Sequence, residues 1–486
     1  MYLGLDLGTS GIRALLVDAD GCVVGEASAP CLVTHLQPGW SEQNPEEWIN
    51  ACRKAMAELR SQHPKEVAAV QAIGLSGHMH GATLIDRNGD VLRPCMLWND
   101  TRADAQARRF DAMPMFRDTT GNIVFPGFTA PKIEWVRENE PDVFAAIHKI
   151  LLPKDYLRFW LTGESLSDMS DSAGTSWMDV GTRSWSSELL DTCQLSEAQM
   201  PQLVEGSDQA GELRDQLRSE WGMTGPVIVA GGGGDNAAAA CGLGCLSAGD
   251  GFVSLGTSGV LFAASDTYAP APDKAVHSFC HAVPDTWFQM GVTLAATDSL
   301  NWLAKVTGST PAALAGTLPE KPSGPTSALF LPYLSGERTP HNTATPCGVF
   351  AGMDISSDQS DLTAAVMEGV AFSLADCLHA LRSTGTEISA LTTTGGGSKS
   401  PFWLQTIANV LDVTLDLPAK GEFGAALGAA RLAMAADIGG DINSLMSKPE
   451  IAKTIEPDAS LVSIYQERYA QFRALYPAVT SALSPA

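Results

Sequence analysis

The stretch Leu3-Gly4-Leu5-Asp6-Leu7-Gly8-Thr9-Ser10-Gly11-Ile12-Arg13-Ala14-Leu15-Leu16-Val17 sets two apolar runs on either side of a Gly-Thr-Ser-Gly turn. Apolar flanks around a turn of small residues predict a β-hairpin. Asp20-Gly21 supplies the next tight turn, before Cys22-Val23-Val24, so an antiparallel meander of three strands is expected. A helix then follows over residues 45–59, and a buried strand over 67–75.

The opening hairpin recurs. Ser254-Leu255-Gly256-Thr257-Ser258-Gly259-Val260 aligns with Asp6-Leu7-Gly8-Thr9-Ser10-Gly11-Ile12, five identities in seven at an offset of 248. In a chain of 486 residues that offset points to duplication of a whole domain. The boundary falls near Leu246-Ser247-Ala248-Gly249-Asp250, giving domains 1–246 and 247–486. One difference is informative: Asp6 becomes Ser254. Two pseudo-symmetric lobes with one asymmetric acid suit a ligand site in the cleft between them.

Composition sets further limits. The 45% hydrophobic content supports one large core or two. With 31 Lys+Arg against 55 Asp+Glu the net charge is −24, so nucleic acid and anionic membrane are poor partners. A phosphorylated ligand must then be held by backbone amides, hydroxyls or a metal. The N-terminus carries no basic leader and no run of about 18 apolar residues occurs, so a cytoplasmic location is expected. Ten scattered cysteines form no Cys-x-x-Cys pair and read as small buried hydrophobes. Cys241 and Cys245, on one helix face, are the pair with an alternative redox or metal reading. The segment 361–381 is apolar nearly all round and predicts a buried helix. Val462, Tyr465, Tyr469, Phe472 and Tyr476 recur at 3-4-3-4 spacing, a stripe that docks on the core or on a second copy in a homodimer.

Four sets of residues can carry chemistry. In the paired Gly-Thr-Ser-Gly turns, bare backbone and hydroxyls form concavities that bind phosphate without net positive charge; each turn taken singly is also an ordinary hairpin tip. Val227 to Ala230 followed by Gly231-Gly232-Gly233-Gly234-Asp235-Asn236 reads as strand, glycine loop, acid and Ala-rich helix. Near a helix N-terminus the macrodipole favours an ionised Asp235, which could accept a proton from an attacking hydroxyl. A simple N-cap is the alternative, but a cap does not require four glycines. Thr393-Thr394-Gly395-Gly396-Gly397-Ser398-Lys399-Ser400, between a strand over 388–391 and a helix over 402–410, suits a flat or anionic ligand lying on backbone. No intact Gly-x-Gly-x-x-Gly occurs, against a dinucleotide fold. Finally, Gly77-His78-Met79-His80-Gly81 and Leu97-Trp98-Asn99-Asp100-Thr101-Arg102 suit recognition of a polyol; metal ligation by His78 and His80 lacks a third ligand.

Taken together, these residues resemble the FGGY carbohydrate kinases, essentially end to end. The segments that carry the resemblance in the first half are GLDLGTSGIRALLVD (4–18), SGHMHGATLID (76–86), LRPCMLWNDTR (92–102), GFTAPKIEWV (127–136), LLPKDYLRFWLTGE (151–164), SDMSDSAGTSWMDV (167–180) and GGGGDNAAAACG (231–242). VSLGTSGV (253–260), FLPYLSGERTPH (330–341), EGVAFSLAD (368–376) and TTTGGGSKSPFWLQ (392–405) carry it in the second. The resemblance implies an α/β chain of two duplicated ribonuclease H-like, actin-like ATPase domains with an interdomain cleft. It also implies a small-molecule sugar and MgATP as partners, with ATP and Mg²⁺ in the cofactor role. The implied catalytic pair is Asp235, as base, and Asp6, as the acid that positions the metal and the γ-phosphate. Thr9, Ser10 and Arg13 match the first phosphate turn, and Gly256 and Thr257 the second. Gly396, Gly397 and Ser400 fall on the adenosine side; Met79, His80, Trp98, Asp235 and Asn236 fall on the sugar side. The Met-His-Gly and Trp-Asn-Asp segments and the LSGERTPH run lean towards members that phosphorylate D-xylulose on its 5-hydroxyl. Kinases for ribulose, gluconate, fuculose or glycerol, and a non-catalytic ATP-switched sugar-binding module, are the alternatives. Two departures stand out: the glycine run before Asp235 is four long where the family loop is often one shorter, and Arg13 replaces a frequent Lys.

Overall fold

The computed structural model describes residues 1–419 and 424–483. In the first half, β1 (Tyr2–Gly8), β2 (Gly11–Val17) and β3 (Val23–Pro30) form the expected meander, closed at the Gly8↔Gly11 pair. The chain crosses over through α1 (Pro45–Gln62) to β4 (Ala72–Gly77), which lies parallel to β1. Asn44 caps α1 by accepting from the Glu46 amide, with Pro45 at the first position. Val67, expected in the strand, lies in a short helix Pro64–Ala68: Pro64 opens a helical turn that delays the strand to Ala72. After α2 (Thr129–Asn139) and α3 (Pro153–Thr162), β5 (Gln209–Glu212) and β6 (Ile228–Ala230) complete a mixed sheet in the order β5-β6-β4-β1-β2-β3. A two-residue strand, Gly233–Gly234, pairs beside β4 and leads directly into α4 (Asp235–Leu243).

The second half repeats this plan. β7 (Gly251–Leu255), β8 (Gly259–Ser265) and β10 (Trp287–Thr293) form its meander, with β9 (His277–Cys280) added at the edge. After α5 (Thr297–Thr307), the crossover is α6 (Gln359–Arg382), leading to β11 (Ala390–Thr394), parallel to β7. Then come α7 (Pro401–Leu411), β12 (Thr414–Pro418), α8 (Gly424–Ile438), β13 (Ile451–Ile455) and α9 (Ala459–Leu483). The sheet order β9-β10-β8-β7-β11-β12-β13 matches the first sheet strand for strand once β9 is set aside. Thr393 and Thr394, expected in a loop, are strand residues that pair with Val253 and Ser254, and Thr393 is buried despite its polarity.

Two helices tie the lobes. Ala426 and Ala430 of α8 cluster with Leu15 and Val17 of the first sheet, and Ala433 with Tyr2 and Ala72. Reciprocally, Ala237, Ala240 and Cys241 of α4 lie in the cluster of Phe252, Phe262 and Phe288 of the second sheet. α4 and α8 also pack on each other. Cys241 is inside this cluster, but α4 ends at Leu243 with Gly244 left-handed, so Cys245 is off the helix and the two share no helical face. Burial pushes both thiols up to about 12, which makes them inert packing groups. α6 is the one helix among the described residues long and apolar enough to cross a membrane, and 94% of that stretch is buried inside the protein. On α9, Tyr465 and Phe472 are fully buried in the second lobe's own core.

Candidate active site

The two acids meet through strand register. Asp6 on β1 pairs with Ser76 on β4, and Ser76 pairs with Gly233 of the short strand. Three neighbouring strands, each about 4.8 Å apart, thus carry Asp6 and the end of the glycine loop side by side, and Asp235 follows two residues later. The loop is bare because it is crowded. Gly232 has φ +74°, and a Cβ there would stand 2.1 Å from the Leu75 carbonyl oxygen; one at Gly234 would stand 2.9 Å from Met79 Cγ. The N-cap of α4 is Gly234, not Asp235. Asp235 Oδ1 accepts from the Asn236 amide N–H (2.8 Å) and Nδ2 (2.9 Å), so Oδ2 remains for other work. Burial, and then the charge of Asp6, push the Asp235 carboxyl up to about 6. Burial also raises Asp6, opposed by Ser76 and by Arg13, its register partner on β2.

Both small-residue turns are anchored from behind. The Thr9 carbonyl accepts from Gln43 Nε2 (2.7 Å) and the Ser10 carbonyl from the Cys31 amide (3.0 Å). In the second turn the Gly256 carbonyl accepts from the Thr297 amide (3.0 Å) and hydroxyl (2.8 Å), and the Thr257 carbonyl from the Ala296 amide (2.8 Å). Ser10 and Thr257 are exposed at the tips. Ser254 pairs with Thr394, so the third glycine loop opens beside the second turn just as the Asp235 loop opens beside the first. A Cβ at Gly396 would meet nothing within 4 Å, and Gly396 is exposed. Gly397 is buried against Leu255, and the Ser400 hydroxyl accepts from the Trp403 amide (3.3 Å) as the cap of α7.

The expected sugar side divides in two. Met79 is buried against Gly234 of the glycine loop, and His80, the next residue, is half-buried against Gly174. His80 is left-handed (φ +69°), its Nδ1 lies 2.8 Å from the Gly174 carbonyl, and its ring stacks on Phe128 at 4.3 Å. Lys132 Nζ (2.9 Å) and Thr129 Oγ1 (3.2 Å), both from α2, donate to its carbonyl. Burial lowers the His80 imidazole to about 3, so it is neutral at pH 7. Trp98 stands instead beside the first turn: it is half exposed and donates to Thr9 Oγ1 at 3.0 Å. His78 contacts Trp48 edge-on and is not part of a metal cluster. Among the described residues the one such grouping is Asp155, Asp168 and Asp171, and Lys154 fills its centre.

The second lobe adds residues that the sequence did not single out. His277 and Phe279 of β9 form an aromatic cage with Phe125 and Phe128 of the first lobe, at centroid distances of 5.4–6.2 Å. The Arg338 guanidinium lies 3.6 Å over Phe125 and makes no ion pair or side-chain hydrogen bond among the described residues. The available signal was the charged Glu337-Arg338 pair inside the LSGERTPH run; which lobe it faces is a tertiary fact.

The FGGY family of carbohydrate kinases matches this chain twice, its N-terminal domain over residues 1–242 and its C-terminal domain over residues 251–436. The chain is 45% identical to a xylulose kinase of Escherichia coli, with 98% of each chain covered. It is 58% identical to a crystal structure described as a "xyloylose kinase" from Brucella ovis, at a TM-score of 0.98 with 99% of each chain covered. It superposes on the xylulose kinase of Rhodospirillum rubrum at a TM-score of 0.91 with 27% identity over 99% of each chain.

Proposed function

Since this chain belongs to the FGGY family of carbohydrate kinases, we propose that it transfers the γ-phosphoryl group of ATP to the 5-hydroxyl of D-xylulose, giving D-xylulose 5-phosphate and ADP. The observation that carries the reading is Asp235: a carboxylate at the end of a crowded bare loop, within reach of the charge of a second acid, Asp6, with its pKa raised to about 6. That value leaves it ionised at pH 7 yet basic enough to take a proton.

The 5-hydroxyl oxygen forms a bond to Pγ as the bond from Pγ to the bridging oxygen of ADP breaks. The hydroxyl proton passes to Asp235 Oδ2, because Oδ1 is held by Asn236. Such a base contributes about 10²–10⁴ in rate. Thr9, Ser10 and Arg13 on one lobe, and Gly256 and Thr257 on the other, hold the phosphates through amides, hydroxyls and one cation. Gly396 and Gly397 offer the flat face for adenosine. Burial raises Asp6, and the charge of Asp6 adds to the elevation of Asp235, an environment that a divalent cation relieves, so Asp6 is the residue that would hold Mg²⁺. Mg²⁺ supplies neutralisation of phosphoryl charge when bound with the nucleotide. Met79, His80 and the aromatic cage hold the sugar and exclude water from the attacking oxygen.

Sugar-dependent ADP release across D-xylulose, D-ribulose, D-gluconate, L-fuculose and glycerol tests the assignment. D-Xylulose should give the highest kcat/KM, and Asp235→Asn should remove turnover while leaving the protein folded. Gluconate is the sharpest control, because Arg338, without an ion pair among the described residues, offers a cation that an acid sugar would require; preference for gluconate would replace xylulose with that substrate.

A further inference from the structure

Beneath the glycine loop five ionisable side chains, Lys154, Asp155, Arg158, Asp168 and Asp171, are all fully buried. Lys154 Nζ lies 2.5 Å from Asp155, 2.6 Å from Asp168 and 3.2 Å from Asp171. Arg158 Nη2 donates to Asp155 Oδ1 at 2.8 Å. Taking such charges out of water is costly, and apolar replacements often stabilise a fold equally well or better. Stability alone therefore gives a weak reason for the cluster. Its outward hydrogen bonds give a stronger one. The same Arg158 nitrogen donates to the Gly231 carbonyl at 2.8 Å. Asp168 Oδ2 accepts from Ser170 Oγ (2.5 Å), and that oxygen accepts from the Gly234 amide at 3.0 Å. The cluster thus grips the first carbonyl and the last amide of Gly231–Gly234, and the next residue is Asp235.

We propose that this Lys154-centred cluster, acting through Arg158 and Ser170, is the positioning device for Asp235: it fixes both ends of a loop whose four glycines supply no side chains to fix it. This rests on the reading of Asp235 as the base. α3 supplies Lys154, Asp155 and Arg158. Asp168 caps the short helix Met169–Ser172, which presents Ser170. Charge is set by geometry too: three carboxylates surround two cations, and burial raises Asp171 well above the usual carboxylate range, so a retained proton balances the cluster.

Ser170→Ala removes the hydroxyl between Asp168 and Gly234 and changes little volume; Ser170→Cys keeps a weak acceptor there. Thr406→Ala, which deletes a fully buried hydroxyl bonded to the Phe402 carbonyl in the second lobe, controls for stability loss alone. Each full-length variant is assayed for kcat, both KM values, the acid limb of kcat/KM and melting temperature. Expected for Ser170→Ala is a 10–100-fold fall in kcat, an unchanged KM for MgATP and a displaced acid limb, with Ser170→Cys intermediate and Thr406→Ala at wild-type kcat. Wild-type kcat and acid limb in Ser170→Ala, or an equal fall in Thr406→Ala, overturns the proposal. Sugar-dependent turnover surviving in Asp235→Asn would instead overturn the base assignment itself.

Discussion

Gly428 of α8 crosses Ala238 of α4 so closely that a Cβ on the glycine would stand 1.7 Å from the Ala238 carbonyl oxygen. Gly242 meets the Gly424 carbonyl in the same way, at 2.3 Å. This crossing joins the helix that begins with Asp235 to the helix lying across the first sheet. Gly428→Ala therefore forces two backbones apart and should cost about 1–3 kcal/mol or more, lowering the denaturation midpoint and kcat together. Unchanged values of both would contradict the close crossing.

Gly396 is the opposite case. With nothing within 4 Å of a Cβ and no positive φ, Gly396→Ala should leave stability within about 0.5 kcal/mol. If adenosine lies on that backbone, KM for ATP rises while KM for the sugar does not. Equal affinity for ATP would remove Gly396 from the nucleotide site.

The acid pair predicts a pH profile. A base must be deprotonated, and Asp235 is raised to about 6, so kcat/KM should fall about tenfold per pH unit below that point. Asp6 is the second cause of the elevation; Asp6→Asn removes a like charge and should move the inflection to lower pH, besides changing the Mg²⁺ requirement. An inflection that stays put in this variant would separate the two acids.

Arg338 stacks on Phe125 across the lobes without an ion-pair partner among the described residues. Arg338→Met retains an apolar contact and removes the cation. KM for D-xylulose should rise about tenfold, the worth of one charged hydrogen bond of about 1.4 kcal/mol, with KM for MgATP within twofold. The converse pattern would place Arg338 on the nucleotide.

Glu368, inside α6, accepts from the Thr326 amide at 3.0 Å, and burial raises its carboxyl to about 8. The folded state thus holds a proton that the unfolded chain releases near 4.5. Stability falls as pH rises from about 4.5 to 8 on this account, by up to about 1.4 kcal/mol per unit. Glu368→Gln stays neutral, so its melting temperature relative to wild type should climb between pH 5 and 8 and then level off. A difference independent of pH would show that Glu368 does not titrate in that window.

What the sequence determined by itself was local or repeated. Apolar flanks fix the hairpin, and the offset repeat fixes the duplication. Four consecutive glycines before Asp235 mark a loop that backbone must approach closely, because only chain neighbours and composition enter those readings. The tertiary structure decided everything that depends on parallel register and on packing between distant segments. Asp6 meets Asp235 only because Ser76 pairs with both strands. Val67 yields its strand to a proline-started helix, and Cys245 leaves the face of Cys241 because Gly244 ends the helix. Trp98 goes to the first Gly-Thr-Ser-Gly turn and not to His80, and Arg338 reaches Phe125 from the other lobe. Lys154 is buried under a loop some 80 residues away in sequence. Long-range contacts of this kind leave no periodicity along the chain, and a pKa near 6 at Asp235 arises only where burial and a second charge coincide in space.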